Sequence, residues 1–158
     1  MSESFSYIDN SEKIARAIFS PAMIDDEGRI SKAAFSLRHN ESYISVARMS
    51  IEGWLNDIKS IPVNSSRQLE GYGILIVGDV RTLEINFFDK KVSFLVEDKS
   101  SSSNKSHAGI IIVYNEMLLK GDKNNGLKPL EKHIPASMLL LKIQTKLANI
   151  ANKAFVRI

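Results

Sequence analysis

Cysteine is absent altogether, and 158 residues hold only one tryptophan, four prolines and three histidines. Without thiols there is no disulfide framework, no thiolate nucleophile and no zinc–thiolate centre. Long apolar runs are missing too. The best candidates, 110–113 and 138–141, fall far short of the ~20 residues a membrane helix needs. The opening MSESFSYIDNSEK has neither a basic n-region nor an apolar h-region, so a cytoplasmic location is expected. Acidic residues are lacking from 134 to 158, where Lys142, Lys146, Lys153 and Arg157 all fall. The net charge of +3 is too small by itself to mark a nucleic-acid binder, so it is this one-sided distribution that carries information.

An apolar share of 44% and a charged share of 25% are those of an ordinary globular chain, and the length is that of one domain. The expected organisation is a single α+β domain over 1–158, with mobile loops near 98–106 and 120–130. Its sheet is expected to be mostly antiparallel, with four to six strands, packed against a long C-terminal helix and shorter N-terminal ones.

Asp9 followed by Glu12 resembles a capping box, and Ile14, Ala15, Ala17 and Ile18 read as a short amphipathic helix that Pro21 stops. Ser31 is placed to cap a turn or two carrying Ala33, Ala34 and Leu37. Ile44 and Val46 alternate with Ser45 and Ala47, the pattern of a half-buried strand. Ser50 reads as the cap of a helix whose apolar residues Ile51, Trp54, Leu55 and Ile58 keep helical spacing, with Trp54 as a core anchor. Residues 72–77 form a strand. Residues 83–88 and 92–96 make a hairpin unless Asp79 starts a helical turn, and 108–114 is the strongest strand in the chain. Asn115 is read as capping a short helix over Met117 and Leu118. A final helix spans about 135–155, with Leu140, Ile143, Leu147, Ile150 and Ala154 as its apolar stripe and the basic residues on a neighbouring face.

Most familiar chemistry is excluded by spacing. His39, His107 and His133 lie too far apart for a local metal motif, so neither metal nor cofactor is expected. Gly71-Tyr72-Gly73 precedes its strand, whereas a dinucleotide fingerprint follows one. There is no G-x-S-x-G elbow, and Ser102-Ser103-Asn104-Lys105 matches S-x-x-K in letters only. Asp25, Asp26 and Glu27 crowd in a turn, where solvent keeps carboxylates acidic. One group stands out. Arg38, His39 and Arg48, joined by His107, would form an anion site if they converged, because guanidinium groups present paired donors to phosphate or carboxylate. The plainer reading pairs the arginines with Asp25, Glu27 or Glu41 and gives His107 a backbone carbonyl.

The segments Gly28-Arg-Ile-Ser-Lys-Ala-Ala-Phe35, Ile44-Ser-Val-Ala-Arg48, His107-Ala-Gly-Ile110 and Leu147-Ala-Asn-Ile-Ala151 resemble those of a loosely defined set of small bacterial proteins of unknown function. The resemblance implies a bacterial origin and a site shared by Arg48 and His107. It attaches no activity, and associates the chain with accessory or immunity components of defence or mobile-element modules. The leading expectation is therefore a non-catalytic binding protein. It would recognise a protein partner or nucleic acid through Lys142, Lys146, Lys153 and Arg157. The alternative is a small enzyme for a phosphorylated or nucleotide substrate, with His107 as general acid/base and Arg38 and Arg48 holding the anion in one concave pocket.

Overall fold

The computed structural model describes residues 7–158. It is an α+β fold built on one eight-stranded sheet, in which every named ladder is antiparallel. In chain order the elements are β1 (Lys13–Ser20), a 3-10 turn (Lys32–Phe35), β2 (Tyr43–Arg48), α1 (Trp54–Lys59), β3 (Gln68–Ile76), α2 (Val77–Arg81), β4 (Ile85–Phe87), β5 (Lys90–Asp98), β6 (His107–Tyr114), β7 (Met117–Leu118), α3 (Ala136–Asn152) and β8 (Phe155–Arg157). The order across the sheet is β4-β5-β6-β2-β1-β3-β8, with β7 alongside β6.

Three of these strands correct the expected count of four to six, and each has a physical reason. β1 was expected as a helix. It is an interior strand with Ile14 and Ile18 in the main core and Ala15, Ala17 and Phe19 in a second, smaller one. A strand covered on both faces loses its period-2 alternation, and a short apolar run then imitates helical spacing. The Asp9–Glu12 bond does form, from the Asp9 N–H to Glu12 Oε2 at 3.1 Å, but it closes a turn. β7 replaces the expected helix because Asn115 and Glu116 both have positive φ (50° and 67°). Two such residues reverse the chain as a tight hairpin, and Tyr114 pairs with Met117. Phe88 and Asp89 (51° and 61°) do the same between β4 and β5, while α2 forms as well, so both readings of 79–88 hold in part.

β8 takes the end of the expected helix. α3 stops at Asn152, whose side-chain amide bonds both backbone groups of Ile30, at 2.8 and 2.9 Å. Phe155–Arg157 then pairs with Gly71–Gly73 of β3. The two glycines permit this approach. A Cβ on Gly71 would lie 2.1 Å from the Val156 carbonyl oxygen, and one on Gly73 would lie 2.9 Å from the Ala151 Cβ.

The main core lies between one sheet face and α3, which buries Leu139, Leu140, Ile143, Leu147, Ala148 and Ala151. The opposite face is covered over β1, β2 and β3 by α1, with Ile58 buried and Trp54 set edge-on to Tyr72 at 5.1 Å. Ser50 does not cap α1. The helix follows Gly53 at φ 90°, and the Ser50 hydroxyl donates to Glu12 instead. Leu147 is fully buried beneath α3, so Leu147→Ala should lower the unfolding free energy by about 2–5 kcal/mol in urea titration. Thr145→Ala, on the exposed side, should change it by less than about 0.5 kcal/mol.

Candidate functional site

β1 pairs with β3 along its whole length but with β2 at only two positions, Ile14 with Arg48 and Ala15 with Ala47. Beyond them the two strands part, and β2 continues against β6. At the parting lies a cavity of about 590 Å³, within the range that holds small ligands. Its lining joins residues from both sides of the split: Ala15, Ala17 and Phe19 with Ile58 and Ile61 of the α1 side, and Ala33, Ser36 and Leu37 beside the 3-10 turn.

Arg16 stands at the centre of the split. Its Nε donates to the Ala34 carbonyl and its Nη1 to the Ser45 carbonyl, each at 2.8 Å. It thus supplies donors where β1 no longer pairs with β2. Nη2 has no partner among the described residues, and none of their buried side-chain nitrogens lacks one, so Nη2 is open to the cavity. Burial, with Arg38 and Arg67 nearby, pulls Arg16 down to about 10 against the opposing influence of Glu41. It remains charged at neutral pH.

Arg67 stacks its guanidinium 4.2 Å above the Phe19 ring and donates to the Pro62 carbonyl. Arg38 is exposed and 3.6 Å from Glu41. Among the described residues, three arginines and His107 therefore line the cavity beside a single carboxylate, Asp57, which accepts 2.6 Å from the Ser106 hydroxyl. Guanidinium groups gathered over an apolar floor concentrate positive potential where an anion loses little by leaving water.

The expected group of four does not assemble. Arg38 and His107 line the cavity; His39 is exposed, bridges Gly121 and is not among the lining residues. Arg48 is corrected outright. His107 pairs with Ala47, so Arg48, one residue on, faces the other side of the sheet. There it is 3% exposed and held by Glu12 (Nη2–Oε2 2.9 Å, Nε–Oε1 3.1 Å) and Asp98 (Nη1–Oδ2 2.9 Å). It is a structural tie between three segments. Burial favours protonation of both carboxyls, but hydrogen bonds from Arg48 and from neighbouring groups outweigh it and hold both below their ordinary values.

The basic C-terminal group divides as well. Lys142, Lys146 and Lys153 are exposed and make no ion pair among the described residues. Arg157 is corrected: it lies on β8, not on the helix, and is engaged with Glu70, the Gly28 carbonyl and the Phe155 ring. Sequence reasoning missed Arg16 and Arg67. The available signal for Arg16 was a lone charge inside the apolar run Ile14–Phe19, since interior positions rarely hold an arginine without a partner. Among the described residues no cluster of three His, Asp or Glu side chains could hold a metal. Comparison with protein-family models, curated proteins and solved structures finds no match.

Removing Arg48 leaves two carboxylates facing each other in a nearly sealed site. Arg48→Met should therefore cost about 3–5 kcal/mol at pH 7 in urea unfolding. The acid side follows from the lowered carboxyl values: their contribution is complete above about pH 5 and falls as protons return to Glu12 and Asp98 at lower pH. Stability of the wild-type chain should thus decline steeply below about pH 4, whereas in the variant the unpaired carboxyls take up protons more readily folded than unfolded, so acidification should narrow the gap to wild type.

Proposed function

We propose that the protein binds a small ligand that joins an anionic group to an apolar body, seated in the cavity between β1 and β2. The observation that carries this reading is Arg16: a charged side chain on an interior strand, bonded to carbonyls rather than to a carboxylate, with one guanidinium nitrogen open to an apolar-floored cavity. Arg38 and Arg67 at the same cavity add charge without the desolvation that Arg16 bears. The test is a comparison of octyl phosphate with octanol, which differ in the anion alone. Octyl phosphate at about 100 times its Kd should raise the unfolding free energy by roughly 2.7 kcal/mol, read as a thermal shift, and octanol should do much less. The Arg38→Gln/Arg67→Gln pair should weaken octyl phosphate binding about tenfold or more. Equal shifts from both compounds would show that charge plays no part.

A second reading keeps the expected partner surface. Met138 and Leu141 are exposed on α3 beside Lys142 and Lys146, a mixture that fits an acidic protein with an apolar ridge better than a bare phosphate backbone. Reversing Lys142, Lys146 and Lys153 to Glu should abolish partner capture while leaving octyl phosphate binding unchanged.

A further inference from the structure

We infer that the cavity is also a hydrolytic site, in which Ser45 is the nucleophile and His107 its general base, acting on carboxylic esters that carry a negative group. The inference rests on the cavity admitting such a ligand, and adds a reaction to it. Ser45 Oγ lies 3.1 Å from His107 Nε2, a distance suited to proton transfer. The other ring nitrogen, Nδ1, lies 3.2 Å from the Lys99 carbonyl oxygen. A carbonyl only accepts, so the hydrogen resides on Nδ1 and leaves the Nε2 lone pair for the Ser45 hydroxyl. The tautomer is therefore the one a general base requires, with a backbone carbonyl in the orienting role that a carboxylate has in serine hydrolases.

The ring is held from a third side. Tyr43 meets it edge-on, with centroids 5.8 Å apart at 62°. Tyr43 can lie there because the neighbouring strand has Gly109: a Cβ at that position would be 2.8 Å from the tyrosine ring. Ser45, His107 and Tyr43 all line the cavity, and Ser45 and His107 are half-buried rather than sealed. A serine–histidine bond serving the core alone needs no opening to a ligand-sized space. Arg16, bonded to the backbone carbonyl of Ser45, lines the same cavity, and its charge favours an ester that carries a negative group.

The steps balance with water as the only co-reactant. Ser45 Oγ bonds to the acyl carbon as its proton passes to His107 Nε2. The bond to the alkoxide then breaks, and that oxygen leaves with the proton from Nε2. Water attacks the acyl–Ser45 ester, giving a proton to Nε2. The acid departs and the proton returns to Ser45 Oγ.

The test is to incubate the full chain with an alkyl fluorophosphonate and follow it by intact mass and peptide mapping. The expected result is one adduct, at Ser45, absent in Ser45→Ala and formed about 100-fold more slowly in His107→Gln. With p-nitrophenyl succinate, an anionic ester, the chain should release one equivalent of nitrophenol in a burst. No adduct at Ser45 in the folded wild-type chain overturns the inference without recourse to any variant, as does labelling at an unchanged rate in folded His107→Gln. Octyl phosphate binding by the unlabelled wild-type chain separates the two proposals: retained binding with no adduct removes catalysis alone, and loss of both removes the ligand reading too.

Discussion

Backbone polar groups inside a protein must find partners, and this fold meets that demand at one difficult place. Two interior strands pair for two residues and then separate. The Ala34 and Ser45 carbonyls beside the gap are answered by a side chain, Arg16, instead of by a neighbouring strand. Much of the molecule's arrangement follows from that substitution. The strands can part because Arg16 bridges them, and the space between them is the cavity. The charge that bridges them also gives the cavity its sign.

The two arginines of the paired strands show how much environment decides the role of a side chain. Arg48 and Arg16 lie on adjacent strands, at opposite ends of a short ladder. Arg48 is flanked by two carboxylates that cancel its charge and use its donors, so it joins segments and offers little to a ligand. Arg16's hydrogen bonds among the described residues go to carbonyls, which take hydrogen bonds but no charge. Neutralised charge makes for rigidity. Charge that remains makes for recognition.

The architecture was legible in the sequence where a single face is buried or a turn has its own chemistry. β2, β6 and α3 were readable from periodicity, and α1 from Trp54 to Ile58. β1 was not, because burial on both faces erased the alternation. Neither were β7 and β8: each is too short for periodicity, and their positions depend on positive-φ residues or on close approach at glycine. For the site, Arg38 and His107 were recognisable from their positions at loop and strand ends. Arg48 misled, since its carboxylates lie 36 and 50 residues away in sequence. Arg16 was hidden by the helical misreading of β1, and the partnership of Ser45 with His107 exists only through the β2–β6 register.

The register of that sheet bears on how the chain acquires its structure. Gly71 pairs with Arg157, and Tyr43 with Ile111, so closing the sheet means joining segments made far apart in time. Such a topology folds slowly, since each long loop must be closed before its pairing is rewarded. Until β8 arrives, β3 offers an unpaired strand edge to solvent, the kind of surface that invites association between chains. The polypeptide is thus most vulnerable to aggregation in the interval between the synthesis of β3 and that of β8, and a chaperone that shields extended segments should favour its recovery.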